Sequence, residues 1–117
     1  MYKKVLGKKL SRDTDSRKAL FRSLIRALVA NGKIVTTKTK ALAIRSDVDK
    51  LMKLVEKDDI SARRRLNSKL GNDKNTVEKL LKLKPLTQKR KSGFTRIINL
   101  PARRGDGASM ARMELVK

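Results

Sequence analysis

Histidine, cysteine and tryptophan are absent from this 117-residue chain, and one Tyr and two Phe are its entire supply of aromatic rings. Without His and Cys the usual zinc ligands, the thiol nucleophile and the commonest general base are gone. No arrangement of Ser or acidic residues takes their place, so the chain reads as noncatalytic, with no cofactor and no metal. Zero cysteine also fits a reducing compartment. The scarcity of rings argues against a module that stacks splayed bases on aromatic platforms, because Phe21 falls in an apolar helical stripe and reads as buried. Long hydrophobic runs are missing as well. Nothing approaches the roughly 20 apolar residues that span a bilayer, and no secretory segment follows the first lysines. A helix acting at a membrane surface would concentrate Trp or Phe on one face. The expected setting is the cytoplasm, with no membrane and no small-molecule substrate as partner. Phosphate-binding glycine loops are absent too, since Gly32-Lys33 runs straight into Ile34 and lacks the upstream glycine.

What the chain has is positive charge. Thirty-two Lys and Arg stand against 11 Asp and Glu, for a formal charge of +21 and a pI of 11.1. That balance points to a polyanionic partner. Disorder is the alternative for so charged a chain, but Leu, Ile, Val and Phe together number 31 of 117 residues, above the roughly 20% below which a charged chain stays unfolded. A core is therefore expected within a single domain spanning 1–117, divided into a basic arm over 1–12 and a globular body over 13–117. Repulsion among the excess positive charges should leave it marginally stable alone, with the polyanion supplying the rest.

The charge is uneven. Residues 27–60 hold seven basic and five acidic residues, whereas 1–26 hold nine and two and 61–93 hold eleven and two. The near-neutral block should face solvent or another protein, and its neighbours the polyanion. Lys3, Lys4, Lys8, Lys9 and Arg12 make an arm with too little apolar content to order by itself. A helix is predicted from about Asp13 to Asn31-Gly32, with Leu20, Phe21, Leu24, Ile25 and Leu28 as its apolar stripe. Lys18, Arg22 and Arg26 are assigned to the opposite face, with Arg17 beside them, as phosphate ligands. Ile34 to Thr37 is a strand candidate. A second helix over Thr39 to Lys57 would bury Ala41, Ile44, Val48, Leu51, Met52 and Val55 and leave Asp47, Asp49, Lys50, Lys53 and Glu56 solvated.

Ile60 to Leu70 reads as a shorter helix holding Arg63, Arg64 and Arg65, which spread too far around it to point one way. One should pair internally while the others, with Arg63 and Arg64 as the candidates, reach outward. A further helix over Asn75 to Lys84 ends before Pro85, and Gln88 to Gly93 forms a basic loop carrying Lys89, Arg90 and Lys91. The tail reads as a hairpin, Phe94 to Leu100 and Met110 to Val116 around a turn with Arg103 and Arg104. Alternation puts Phe94, Arg96, Ile98 and Leu100 on one face, and Ala111, Met113 and Leu115 on one face of the return strand. Arg104-Gly105-Asp106 spells a cell-adhesion tripeptide but reads as a turn sequence. Together these elements predict an α+β fold, with about four helices packed on a small mixed sheet, a C-terminal β-hairpin and the basic N-terminal arm.

Charge alone does not separate RNA from DNA. Ordered strings do. Gly7-Lys8-Lys9-Leu10-Ser11-Arg12, Arg17-Lys18-Ala19-Leu20-Phe21-Arg22, and Ile34-Val35-Thr36-Thr37 with Ala41 and Arg45 come first. Arg64-Arg65-Leu66, Gly93-Phe94-Thr95-Arg96-Ile97, Arg104-Gly105-Asp106, Met110-Ala111 and Glu114-Leu115-Val116 follow. In this order and spacing the set resembles the bacterial large-subunit ribosomal protein L17 family. The chain departs from that pattern at Ser16, where a His is usual, and at Ser92-Gly93, where paired glycines are usual. The resemblance implies a structural, noncatalytic constituent of the large ribosomal subunit, clamping large-subunit ribosomal RNA beside neighbouring ribosomal proteins. The candidate RNA ligands are then the arm, the first-helix row, Arg63, Arg64, Lys89, Arg90, Lys91, Arg96, Arg103 and Arg104. A nucleoid-type non-specific DNA-binding protein is the alternative.

Overall fold

Short polar side chains close the helix ends. In the computed structural model, which describes residue 10 and residues 12–116, Asp13 accepts the Ser16 N–H at 2.8 Å and starts α1, Thr14–Asn31. Asp59 accepts the Ala62 N–H at 2.6 Å and starts α3, Ile60–Lys69. Asp73 does the same for α4, Lys74–Leu81, taking both the N–H and the hydroxyl of Thr76. Each cap satisfies a first-turn donor that has no partner within its helix. Thr37 ends strand β1, Lys33–Thr37, and caps the 20-residue α2, Lys38–Lys57. Gly32 stops α1 in the left-handed region, at φ 79°, a conformation that a side chain with a Cβ adopts only with strain.

Pro85 departs from expectation. It ends nothing: it sits in the first turn of a fifth helix, α5, Lys84–Lys89. A first-turn residue has no intrahelical acceptor for its N–H, so a proline there loses no bond. The preceding helix stops at Leu81, and Lys89 is helical rather than part of a basic loop.

Strands β2, Thr95–Leu100, and β3, Met110–Leu115, form the expected hairpin. The sheet order is β1-β3-β2, and β3 runs opposite to both neighbours. The sheet is therefore antiparallel throughout, where a mixed one was expected. Ile34 and Ile97 flank Met113, and that row faces the helices; Val35 and Ile98 flank Arg112 on the outer face. Phe94 does not share the Arg96 face. It precedes β2, just after a bend at Gly93, and is buried in the core with its N–H donated to Asp49 Oδ1 at 3.2 Å.

Helix α2 touches every other element. Its six expected core residues are all buried, joined by Leu54. Around them pack Leu28, Leu66, Leu70, Leu80, Phe94 and Met113 in one continuous core. No helix among the described residues is long and apolar enough to cross a membrane.

Candidate nucleic-acid interface

The basic row of α1 does not lie opposite the apolar stripe. An α-helix turns about 100° per residue, so positions seven apart point within about 20° of each other, and Lys18 therefore shares a direction with Ile25. The structure places Lys18 and Arg22 on the rim of a groove of about 350 Å³ whose floor and walls include Phe21, Ile25 and Leu51. Helix α2 contributes Asp47 to it, and the last turn of α3 contributes Ser68 and Lys69. Phe21 is half-buried rather than fully buried, and so is Asp47. Asp47 and Asp49 thus leave the solvated face assigned to them, one for the groove and one for the Phe94 N–H. Among the described residues no carboxylate lies within ion-pair distance of Lys18, Arg22, Lys69, Arg64 or Arg65.

Arg26, the third member of the row, is used internally. Its Nη2 donates to the Leu70 carbonyl at 2.5 Å, and its Nε lies 3.4 Å from Asp73 Oδ2. The guanidinium thereby ties α1 to the α3–α4 turn. Arg63 is the one of the three adjacent arginines that pairs, donating to Asp58 Oδ1 at 2.9 Å. Lys84 meets the other Asp58 oxygen at 3.3 Å. That arrangement, led by the Arg63 hydrogen bond, holds the Asp58 carboxyl below its usual range.

The hairpin cations are engaged as well. Arg96 donates through Nε and Nη2 to Glu114 Oε1, at 3.1 and 2.8 Å, and lowers the Glu114 pKa. Arg103 grips both oxygens of Asp106, at 3.1 and 2.6 Å. That fork, with the Ala108 N–H behind it, brings the Asp106 pKa down to about 2. The Asp of the Arg-Gly-Asp string is therefore occupied within its own turn. Arg12 and Arg90 donate to the Leu10 and Gly93 carbonyls, closing local turns.

The remaining candidates scatter. Arg17 is half-buried on α1; Arg64, Lys89, Lys91 and Arg104 are exposed on four different segments. Lys3, Lys4, Lys8 and Lys9 lie outside the described residues. The groove brings together Lys18 and Arg22 from the candidate set and adds Lys69, which charge counting passed over. A signal for Lys69 was available: it sits one turn after Arg65 on the same basic helix. Among the described residues no cluster of three or more acidic side chains could hold a metal ion.

The profile of ribosomal protein L17 matches residues 20–116 of this chain. A large ribosomal subunit protein bL17 from Persephonella marina is 44% identical to it over 119 aligned positions, which cover all of this chain and 96% of the relative. The bL17 protein of Chloroflexus aggregans is 44% identical over 111 positions, covering 94% of this chain and 95% of its own length. That of Clostridium botulinum is 39% identical over 110 positions, with 93% and 96% covered.

Proposed function

The chain belongs to the ribosomal protein L17 family, a family of ribosomal proteins and not of enzymes, and from that premise we propose how it works. It is a structural constituent of the large ribosomal subunit that binds and stabilises large-subunit ribosomal RNA, with other ribosomal proteins as neighbours. The observation that carries the binding mode is the convergence of Lys18, Arg22 and Lys69 on one groove without a carboxylate in ion-pair range. Cations in that state reach a phosphate without first giving up a partner. The basic arm, Arg17, Arg64, Lys89, Lys91 and Arg104 extend the contact to other RNA segments. The described residues form the body on which Lys18, Arg22 and Lys69 are mounted.

The hairpin lends the DNA alternative no support. A DNA-bending ribbon needs a protruding basic arm with an apolar wedge at its tip, and here the hairpin turn is folded on itself by the Arg103–Asp106 fork. Titrating large-subunit ribosomal RNA fragments at several salt concentrations tests the reading. If about ten phosphates are neutralised, log K falls against log salt with a slope of about −7 to −9. A slope near zero refutes phosphate-driven binding, and equal affinity for duplex DNA of the same length refutes the preference for RNA.

A further inference from the structure

The groove holds more than cations. Phe21 offers part of a ring, Ile25 and Leu51 supply an apolar floor, and Asp47 lines the same groove as its one acid among Lys18, Arg22 and Lys69. Among the described residues Asp47 makes no hydrogen bond and no ion pair, while the other half-buried carboxylates, Asp49, Asp58, Asp73 and Glu114, each have a donor. A phosphate has no use for a carboxylate. A base with N–H groups on its pairing edge does, because an ionised carboxylate is an acceptor only. At about 350 Å³ the space lies at the lower end of small-ligand sites, roughly 300–1,000 Å³, too small for a duplex and suited to one nucleotide.

We propose that this groove takes one unpaired guanosine of the bound RNA, its base on Phe21 and its pairing edge on Asp47, with Lys18, Arg22 and Lys69 on the flanking phosphates. Guanine is the base whose pairing edge presents two adjacent donors, N1–H and the N2 amino group, to match the two oxygens of a carboxylate. Adenine and cytosine present one amino group beside an acceptor nitrogen, and uracil one N–H between two carbonyls. Base extrusion from a bulge costs little because such a base is already unpaired. The inference rests on the RNA-binding reading above and adds to it a base-specific seat that charge alone does not provide.

Fluorescence anisotropy with the full chain tests it, using labelled RNA hairpins of equal length at one salt concentration: one fully paired and four with a single G, A, C or U bulge. The G-bulged hairpin should bind roughly tenfold tighter than the paired one, as expected for one stacked base, and tighter than the other three. Phe21→Leu keeps an apolar side chain for the core and should abolish the advantage of the bulge, whereas Phe21→Tyr should keep it. Asp47→Asn should narrow the preference for G without weakening the paired hairpin, and circular dichroism establishes that each variant is folded. Equal binding of paired and bulged hairpins overturns the guanosine site while leaving salt-dependent RNA binding intact. A G preference that survives both Phe21→Leu and Asp47→Asn also overturns it, because the seat then lies elsewhere. Failure of any hairpin to bind takes down the RNA-binding reading itself, and the guanosine site with it.

Discussion

The groove side and the sheet side of this molecule carry the same kinds of cation in different company. Around the groove, Lys18, Arg22 and Lys69 have no carboxylate in ion-pair range among the described residues, and the one acid present, Asp47, is itself unengaged. Across the sheet, Glu114 holds Arg96 at 2.8 Å and lies 3.8 Å from Arg112, and Asp106 holds Arg103. A net charge of +21 therefore overstates what the sheet side can offer. An arginine that already has a carboxylate must break that pair to reach a phosphate, and what it gains is the difference between two charge-assisted contacts. The groove cations face no such exchange.

Charge removal on each side sharpens the contrast, and it carries the largest expected effect. Lys18→Gln with Arg22→Gln should weaken binding to a ribosomal RNA fragment by roughly a hundredfold and lower the salt slope by about 2. Arg96→Gln with Arg103→Gln should change affinity no more than about threefold. Filter binding at matched salt measures both pairs, and comparable losses would erase the distinction between the two sides.

Next in size is a backbone change behind the groove. Gly71 stands at φ 67°, and a Cβ built there would come within 2.8 Å of Arg26 Nη2. Gly71→Ala should destabilise the fold by about 1–3 kcal/mol through left-handed strain, lowering Tm by several degrees. It should also displace the Arg26 clamp on Leu70, and hence the α3 end that carries Lys69. An unchanged Tm would show that the α3–α4 turn relaxes freely and that Arg26 does not brace the groove.

Acid gives the smallest effect and reports on the engaged carboxyls of both sides rather than on the groove. The carboxyls of Asp13, Asp58, Asp73, Asp106 and Glu114 all titrate below their ordinary values in the folded chain, chiefly because they accept hydrogen bonds. The unfolded chain thus binds protons first. Their contribution is fully present above the unfolded carboxyl range near about pH 4 and is lost as pH falls toward about 2. Urea midpoints should be flat from neutrality to about pH 5 and then decline. Asp106→Asn should flatten part of that decline and leave RNA affinity at neutral pH nearly unchanged, and a large loss of affinity would mean that the hairpin turn belongs to the interface.

Much of the fold was legible because the determinants are local. A cap joins residues three apart, so Asp13 announces its helix start without reference to the rest of the chain, and Asp59 and Asp73, which the sequence reading did not use, carry the same local signal. The α2 stripe is periodic over 20 residues and ends where its core residues end. Pro85 was misread because the same residue that discourages a helix before it is well placed to begin one. Phe94 was misread because strand alternation was carried across the bend at Gly93, where it no longer holds. The groove was half legible: Lys18 and Arg22 were chosen for charge, but their assignment to the face away from Ile25 was an error of helical angle.

The sequence by itself determined that this chain is basic, cysteine-free and noncatalytic in composition, where four of the five helices among the described residues begin, and which residues build most of its core; all of these depend on residue type and short-range spacing. Which cations are left without partners was decided only by tertiary structure. Arg26 meets Leu70 across 44 residues, Arg96 meets Glu114 across 18, and Phe94 meets Asp49 across 45. Asp47 reaches the groove because α1, α2 and α3 converge there. Charge counts add over a chain regardless of position, but ion pairing and cavity shape depend on distances of a few ångströms that arise once the helices have packed.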